Sequence, residues 1–247
     1  MQYIHKKDNN GWLMPDFLFK KYWFWFKDPE DVSFCDMVNF FSYHKVDKEG
    51  FKRKNANTTI INLKQDLNDI WMNMRKKFVR KQILRGEKNG IVVKQDSNFK
   101  DFKKIYLDFR KKNNLAKDAY SIFVNNGLLF SAYYNNKMIA GGVFIKKKPY
   151  IRAWVLASLR ALEKDGKTRE IIGWANRMLI WEAIKYAKNE NYEMFDLGGI
   201  SPHSSKKTEI SLMEFKESFG GVREKCYYYH KVYSPLLKFW IKLRKII

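Results

Sequence analysis

Cysteine is nearly absent from this chain of 247 residues: Cys35 and Cys226 are the only two, and they lie far apart. That argues against both a disulfide framework and a cysteine-built zinc site. Proline and glycine are sparse as well, at 5 and 13 residues, which excludes collagen-like and low-complexity chains. The four histidines, His5, His44, His203 and His230, are scattered with no pair at metal-ligand spacing, so no metal is expected. Acidic residues number 26 against 48 Lys and Arg, for a formal charge of +22. No apolar run reaches the roughly 20 residues needed to span a bilayer. The most apolar stretches, Ile171 to Ala187 and Leu236 to Ile247, are both interrupted by charge. The opening Met1–Asp8 has no apolar run of the kind that heads a secretory signal, so a cytoplasmic protein is expected.

What is present is apolar surface, 45% of residues, of which the aromatics alone are 17%. Such a chain can bury enough surface to offset its ordering entropy and is not disordered. Its length fits one large domain or two small ones. The surplus positive charge implies a polyanionic partner: nucleic acid, an anionic membrane face or phosphates. The plain alternative is a surface decorated with lysine for no specific partner. Trp12, Phe17, Phe19, Tyr22, Trp23, Phe24, Trp25 and Phe26 crowd into fifteen positions, a run that suits a core plug better than an interface or a membrane patch.

The segment up to Asn57 reads as irregular, with short strands at Val32–Phe34 and Met37–Tyr43 and a charged loop over Lys45–Asn57. A β-branched strand follows at Thr58–Leu63. Asp66 or Asn68 caps a helix expected to run to Arg85, with Trp71, Met72, Phe78, Val79 and Ile83 on one face. Arg75 falls inside that apolar arc, where a charge survives by snorkelling. Ile91–Val93 is a strand, and Phe99–Lys112 an amphipathic helix burying Phe102, Ile105, Tyr106 and Phe109. Leu128–Tyr134 and Met138–Ile145 form a hairpin about Asn135-Asn136. Then come a strand at Tyr150–Ala157, a polar loop Arg160–Glu170, a buried helix Ile171–Asn189, a strand Met194–Leu197, a helix Ser211–Phe219 closed by Gly220-Gly221, and a strand Val222–Val232. Helices interspersed among strands in this order predict an α/β (α+β) mixed sheet covered by helices on its faces.

Three segments carry candidate chemistry. At the start of the Ile171 helix, Gly173 and Ala175 would let backbone amides approach an anion, with Arg169 adjacent and Asn176 following; helix packing is an equal reading. Asp196, Gly198 and Gly199 end a strand, where ligand crevices of open α/β sheets lie, although an aspartate capping a glycine turn is the plainer reading. Phe215 and Phe219 anchor a helix from which Lys216 projects off the buried face. No Ser-His-Asp or Cys-His arrangement is readable, so direct attack without a covalent enzyme intermediate is favoured.

Together these segments resemble one family. Gly173-x-Ala175-Asn176-x-x-Leu179-x-Trp181, Asp196-x-Gly198-Gly199-Ile200 and Phe215-Lys216-x-x-Phe219-Gly220-Gly221 look like the C-terminal part of the FemABX-like proteins of the GNAT superfamily, which include the peptidoglycan-bridge aminoacyltransferases. Thr58–Gly90 resembles the start of that family's acyltransferase module. The resemblance implies a GNAT-like fold and acyl transfer to an amine. The donor would be an aminoacyl-tRNA ester or, alternatively, acyl-CoA, and the acceptor an amino group of a lipid-linked or sugar precursor of the cell envelope, such as a peptidoglycan intermediate. It implies that Lys216 stabilises an oxyanion or a donor phosphate, and that Asp196 orients or deprotonates the amine. Phe215, Gly198, Gly199, Arg169, Gly173, Ala175, Asn176 and Trp181 would bind substrate. The acetyl-CoA loop common to ordinary GNAT enzymes carries Arg or Gln where this chain has Glu170, and an acid there repels a pyrophosphate. The rival readings are a CoA-dependent N-acyltransferase acting on a polysaccharide amino sugar, and a non-catalytic RNA- or membrane-binding protein.

The expected organisation is an N-terminal aromatic segment over 1–57, an acyltransferase domain over 58–233 and a basic amphipathic tail over 234–247. In a helical tail Leu236, Phe239, Trp240, Leu243 and Ile247 form one stripe, with Lys238, Lys242 and Lys245 opposite. Such a helix suits peripheral contact with an anionic membrane, or packing on the protein's own core.

Overall fold

The computed structural model describes residues 11–14, 18–115 and 120–243. The expectations about Met1–Asp8, about Phe17 and about the tail beyond Leu243 fall outside them. The chain divides into two compact units, one formed by Met1–Asn57 with Lys225–Ile247 and the other by Thr58–Glu224. Residues 225–233, grouped with 58–224 on sequence, thus lie in the first unit.

In the first unit, strand β1 (Trp12–Met14) runs antiparallel to β2 (Lys21–Trp25), which lies parallel to β3 (Met37–Ser42). The aromatic run is therefore a strand where the sequence suggests irregular chain. Period-two alternation sends Phe24 to one face, beside Val38, Phe40, Tyr227 and Tyr229 in a buried cluster. The alternate residues Trp23 and Trp25 go to the other face, against Tyr228 and Phe41. Val32–Phe34 is not a strand. Val32 is instead a buried plug whose backbone N–H donates to the Tyr233 hydroxyl at 3.0 Å. Strand β4 spans Lys52–Asn62, so the expected charged loop ends at Phe51. The polar half of β4 lacks the apolar alternation by which a strand is read from sequence.

The second unit continues with α1 (Leu67–Asn73), a π-helical turn over Lys76–Arg80, and α2 (Lys81–Lys88). The single helix expected here is broken. Met74 is extended and Arg75 is non-helical, and the Arg75 N–H donates to the Ser218 carbonyl at 2.8 Å. The break resets the helical phase, so Met72 and Phe78 are exposed while Ile70, Met74, Val79 and Ile83 are buried. Arg75 is exposed rather than embedded in an apolar arc.

Strand β5 (Val92–Asp96), α3 (Phe99–Lys112), α4 (Tyr120–Asn126), β6 (Leu128–Tyr134), β7 (Lys137–Lys147), β8 (Tyr150–Ser158), α5 (Gly166–Asn189), β9 (Met194–Ile200), α6 (Lys207–Glu217) and β10 (Val222–Val232) follow, with α7 (Pro235–Leu243) closing the described chain. The second unit's strand order is β4-β9-β8-β7-β6-β5. Asn135 and Asn136 turn the β6–β7 hairpin with φ of 49° and 59°, the conformation a type I′ turn needs. One sheet face is covered by α5 with α1 and α2, burying Trp174, Met178, Trp181 and Ile184. The other carries Phe102, Tyr106 and Phe123 against Val143 and Val155. The mixed α/β sheet covered on both faces is thus the observed architecture.

Candidate functional site

The site is built where two parallel strands part. β8 and β9 pair over Tyr150↔Met194, Ile151↔Phe195 and Arg152↔Asp196, where the register stops. β8 nevertheless runs on to Ser158 and β9 to Ile200. Beyond such a divergence the strand ends leave room for a ligand. Gly198 makes the turn away possible: its φ is +88°, and a Cβ there would stand 3.0 Å from the Ala153 carbonyl and 3.3 Å from Lys216 Nζ. Only glycine fits a position that is both left-handed and this closely approached.

At the last paired rung Asp196 is wholly buried and ion-paired to Arg152, itself buried. The carboxylate also accepts the Thr58 hydroxyl, and at 2.7 Å the Gly198 N–H. Arg152 Nη1 reaches Thr58 Oγ1 at 3.3 Å. A buried charge pair persists only when its remaining donors and acceptors are satisfied in this way. Asp196 is therefore a structural anion, engaged on several sides and shut off from solvent. The sequence expectation that it deprotonates an incoming amine does not fit that geometry.

Lys216 is the larger correction. The sequence places it off the buried face of its helix, yet it is only 8% exposed. Its Nζ donates to the Gly199 carbonyl at 2.7 Å, on β9 beyond the last rung paired with β8. Burial, and next the positive charge of Arg152, push its pKa down to about 8, against a smaller pull from Asp196. Arg152, Asp196 and Lys216 thus place one surplus positive charge in a desolvated site. Such a charge binds an anion more strongly than it could in water.

Phe215 positions this lysine. Its ring meets Phe219 at 5.4 Å between centroids, and the Arg177 guanidinium lies over it at 5.3 Å. Arg177 in turn donates to the Phe78 carbonyl and, at 2.8 Å, to that of Gly173. Burial and the nearby Arg160 lower its pKa to about 10. The Arg75–Ser218 backbone bond secures the end of α6 from another direction.

The remaining candidates part company with this centre. Helix α5 starts at Gly166, not Ile171, because Asp165 caps it by accepting the Thr168 N–H at 2.7 Å. Gly173, Ala175 and Asn176 consequently sit in the helix interior, where each N–H is committed to the carbonyl four residues back. They do not form an anion cradle. Ala175 and Trp181 are core residues, Trp181 packing on Trp71 at 5.0 Å. Asn176 donates to Ser158 Oγ at 3.1 Å. Arg169 is exposed in the first turn of α5, and Glu170 pairs with Arg85 at 3.6 Å. The sequence reading assigned no role to Arg152, Thr58 or Arg177. A lone arginine in the apolar strand Tyr150–Ser158 was the available signal for the first. Among the described residues no group of three His, Cys, Asp or Glu is gathered as metal ligands would be.

The FemAB family model matches residues 174–238, the stretch that holds Asp196, Gly198, Gly199, Phe215 and Lys216. No curated protein matches the sequence. Among solved structures, FemX covers 83% of this chain and 74% of its own at 12% identity, with a TM-score of 0.62. The C-terminal domain (DUF2156) of a putative lysylphosphatidylglycerol synthetase from Agrobacterium fabrum covers 78% and 67% at 10% identity, with a TM-score of 0.54. L-PGS from Bacillus licheniformis covers 85% and 73% at 13% identity, with a TM-score of 0.50. At these identities the likeness is one of fold.

Proposed function

We propose, from the premise that this is a FemABX-like chain, that it transfers an aminoacyl group from aminoacyl-tRNA to an amine of a cell-envelope precursor such as a lipid-linked peptidoglycan intermediate. The observation that carries the reading is the buried ammonium of Lys216, held at the Gly199 carbonyl where β8 and β9 separate.

The chemistry asks little of the protein. The amine attacks the ester carbonyl, a C–N bond forms, and the C–O bond to the ribose breaks. The amine's surplus proton ends on the departing ribose oxygen. Holding amine and ester together supplies about 7–11 kcal/mol of the barrier. One pre-placed donor at the developing oxyanion adds about 3–4 kcal/mol. Lys216 has two N–H bonds beyond the one given to Gly199, and serves as that donor or as the contact for a donor phosphate. Asp196 and Arg152 hold the strand ends in place.

The preference for a tRNA ester over acyl-CoA has two supports. The N-terminus of α5 is already occupied by the chain's own Asp165 carboxylate, so a pyrophosphate would meet a like charge there. The net charge of +22 suits a polyanionic donor.

The experiment is single-turnover discharge of aminoacyl-tRNA by the purified chain, with an amine-bearing envelope precursor as acceptor. Lys216→Met should lower the rate at least a hundredfold while far-UV circular dichroism is unchanged. Activity should fall as pH rises through about 8, where the lysine loses its proton. Full turnover by the variant would end the assignment. A CoA-dependent rise in melting temperature would move the donor to acyl-CoA.

A further inference from the structure

We propose that helix α7 docks the protein on an anionic lipid surface. This rests on the helix alone and holds whether or not the chain transfers acyl groups. Pro235–Leu243 is a nine-residue helix whose apolar stripe points the wrong way for a soluble protein. Leu236 is 66% exposed, Phe239 59%, Trp240 44% and Leu243 40%. Their spacing of i, i+3, i+4 and i+7 puts them on one face. About a third of a turn away lie Leu237, 1% exposed, and the half-buried Ile241, which seat the helix on the protein. Ser234 fixes its start, accepting the Leu237 N–H on its hydroxyl at 3.2 Å and the Lys238 N–H on its carbonyl at 3.1 Å. The outward stripe is thus held in place by an inward one, not left over from a frayed end.

Charge selects the occupant. Lys238 and Lys242, one turn apart, fill the remaining side of the helix. From Lys225 to the last residue the sequence contains no Asp or Glu, and it continues as Arg244-Lys245-Ile246-Ile247. A leucine and aromatic stripe flanked by lysines suits the interface of an anionic bilayer, with acyl chains under the stripe and headgroup phosphates at the lysines. Among the described residues no helix is long and apolar enough to cross a membrane, and a basic amphipathic helix of this kind binds lying along the surface.

The test is flotation of the full chain with vesicles at 0.15 M salt, phosphatidylglycerol–phosphatidylcholine against phosphatidylcholine alone. The triple variant Leu236→Ser, Phe239→Ser, Leu243→Ser keeps every charge, so general attraction of a basic protein is unchanged. It should bind the anionic vesicles at least tenfold more weakly, with the same melting temperature. Lys238→Gln with Lys242→Gln should weaken that binding about thirtyfold, at about 1 kcal/mol for each lysine. Unchanged binding by the triple serine variant would overturn the proposal. So would light scattering that shows a wild-type dimer which the serine variant abolishes, since the stripe would then belong to a second copy.

Discussion

The centre built on Asp196 and Lys216, and the Gly173–Asn176 stretch of α5, both contain residues of the motifs singled out in the sequence, and they have opposite physical characters. The first draws Thr58, Arg152, Asp196, Gly199 and Lys216 from four elements to one place, buries three charges and leaves one of them in surplus. The second is local, lies on one helix, and spends its polar atoms on neighbouring protein groups. Arg152 and Ser158, the β8 residues that anchor the two, are six positions apart, roughly 20 Å along a strand. A site has to hold groups in states that water would not tolerate. A packing motif only has to fill space and satisfy its hydrogen bonds. Burial of unlike and like charges together separates the two where motif spacing does not.

The sharpest way to break this comparison is to remove one charge from the first region and one polar side chain from the second. Asp196→Ala removes the carboxylate that neutralises the buried Arg152 and should destabilise the fold by about 3–5 kcal/mol. Asn176→Ala removes a single hydrogen bond to Ser158 at a half-buried position and should cost about 1 kcal/mol. Urea unfolding of the two variants measures both. Equal losses would mean that the Asp196 network is no more demanding than ordinary packing.

Lys216 should behave in the reverse sense, and by less. Its folded pKa is about 8 against 10.5 for the free side chain, mainly because of burial. Below pH 8 both states are protonated and the folded state bears the full cost of the buried ammonium. Between 8 and 10.5 the unfolded chain binds more proton, so stability rises with pH across that window. Lys216→Met removes the cost and should raise stability by on the order of 2–3 kcal/mol at pH 7. The advantage should shrink as pH climbs towards 10.5. A variant that is less stable than the parent at pH 7 would mean that the lysine supports the fold instead of straining it.

Much of the second unit is legible in its sequence because the information is local. The helix Phe99–Lys112 and the strand Leu128–Tyr134 have the bounds that their periodicity predicts. The Asn135-Asn136 turn follows from residues that tolerate positive φ. The misreadings share one physical cause, a partner distant in the chain. Met74–Arg75 breaks a helix with good periodicity because a carbonyl at Ser218 takes the freed N–H. Lys52–Asn57 has no apolar alternation, and only pairing makes it a strand. Asp165-Gly166 carries a capping signal that the surrounding charge obscures. The site follows the same rule. Asp196, Gly198, Gly199, Phe215 and Lys216 are visible as motif residues. The burial of Lys216 and the role of Arg152 are not, since each depends on a neighbour 17 and 44 positions away.

The smallest expected effect bears most directly on the second region. If Gly173 were there to let a ligand reach the backbone, any side chain would obstruct it. The helix interior argues otherwise. A Cβ at Gly173 would meet Arg160 Nε at 3.8 Å and Arg160 Cζ and Arg177 Nη1 at 3.9 Å, all ordinary contacts. The bond from Arg177 to the Gly173 carbonyl involves no atom that alanine would displace. Nothing then opposes the intrinsic preference of a helix for alanine over glycine, about 0.8–1 kcal/mol. Gly173→Ala should therefore raise stability by up to that amount and leave the proposed transfer activity within twofold of the parent. Gly86 supplies the contrast, since a Cβ there would stand 2.4 Å from Met178 Sδ; Gly86→Ala should destabilise. Melting temperatures and initial rates for the two variants decide the matter. A stable Gly173→Ala protein with a tenfold loss of transfer would return this stretch of α5 to the active site and erase the distinction between the two regions.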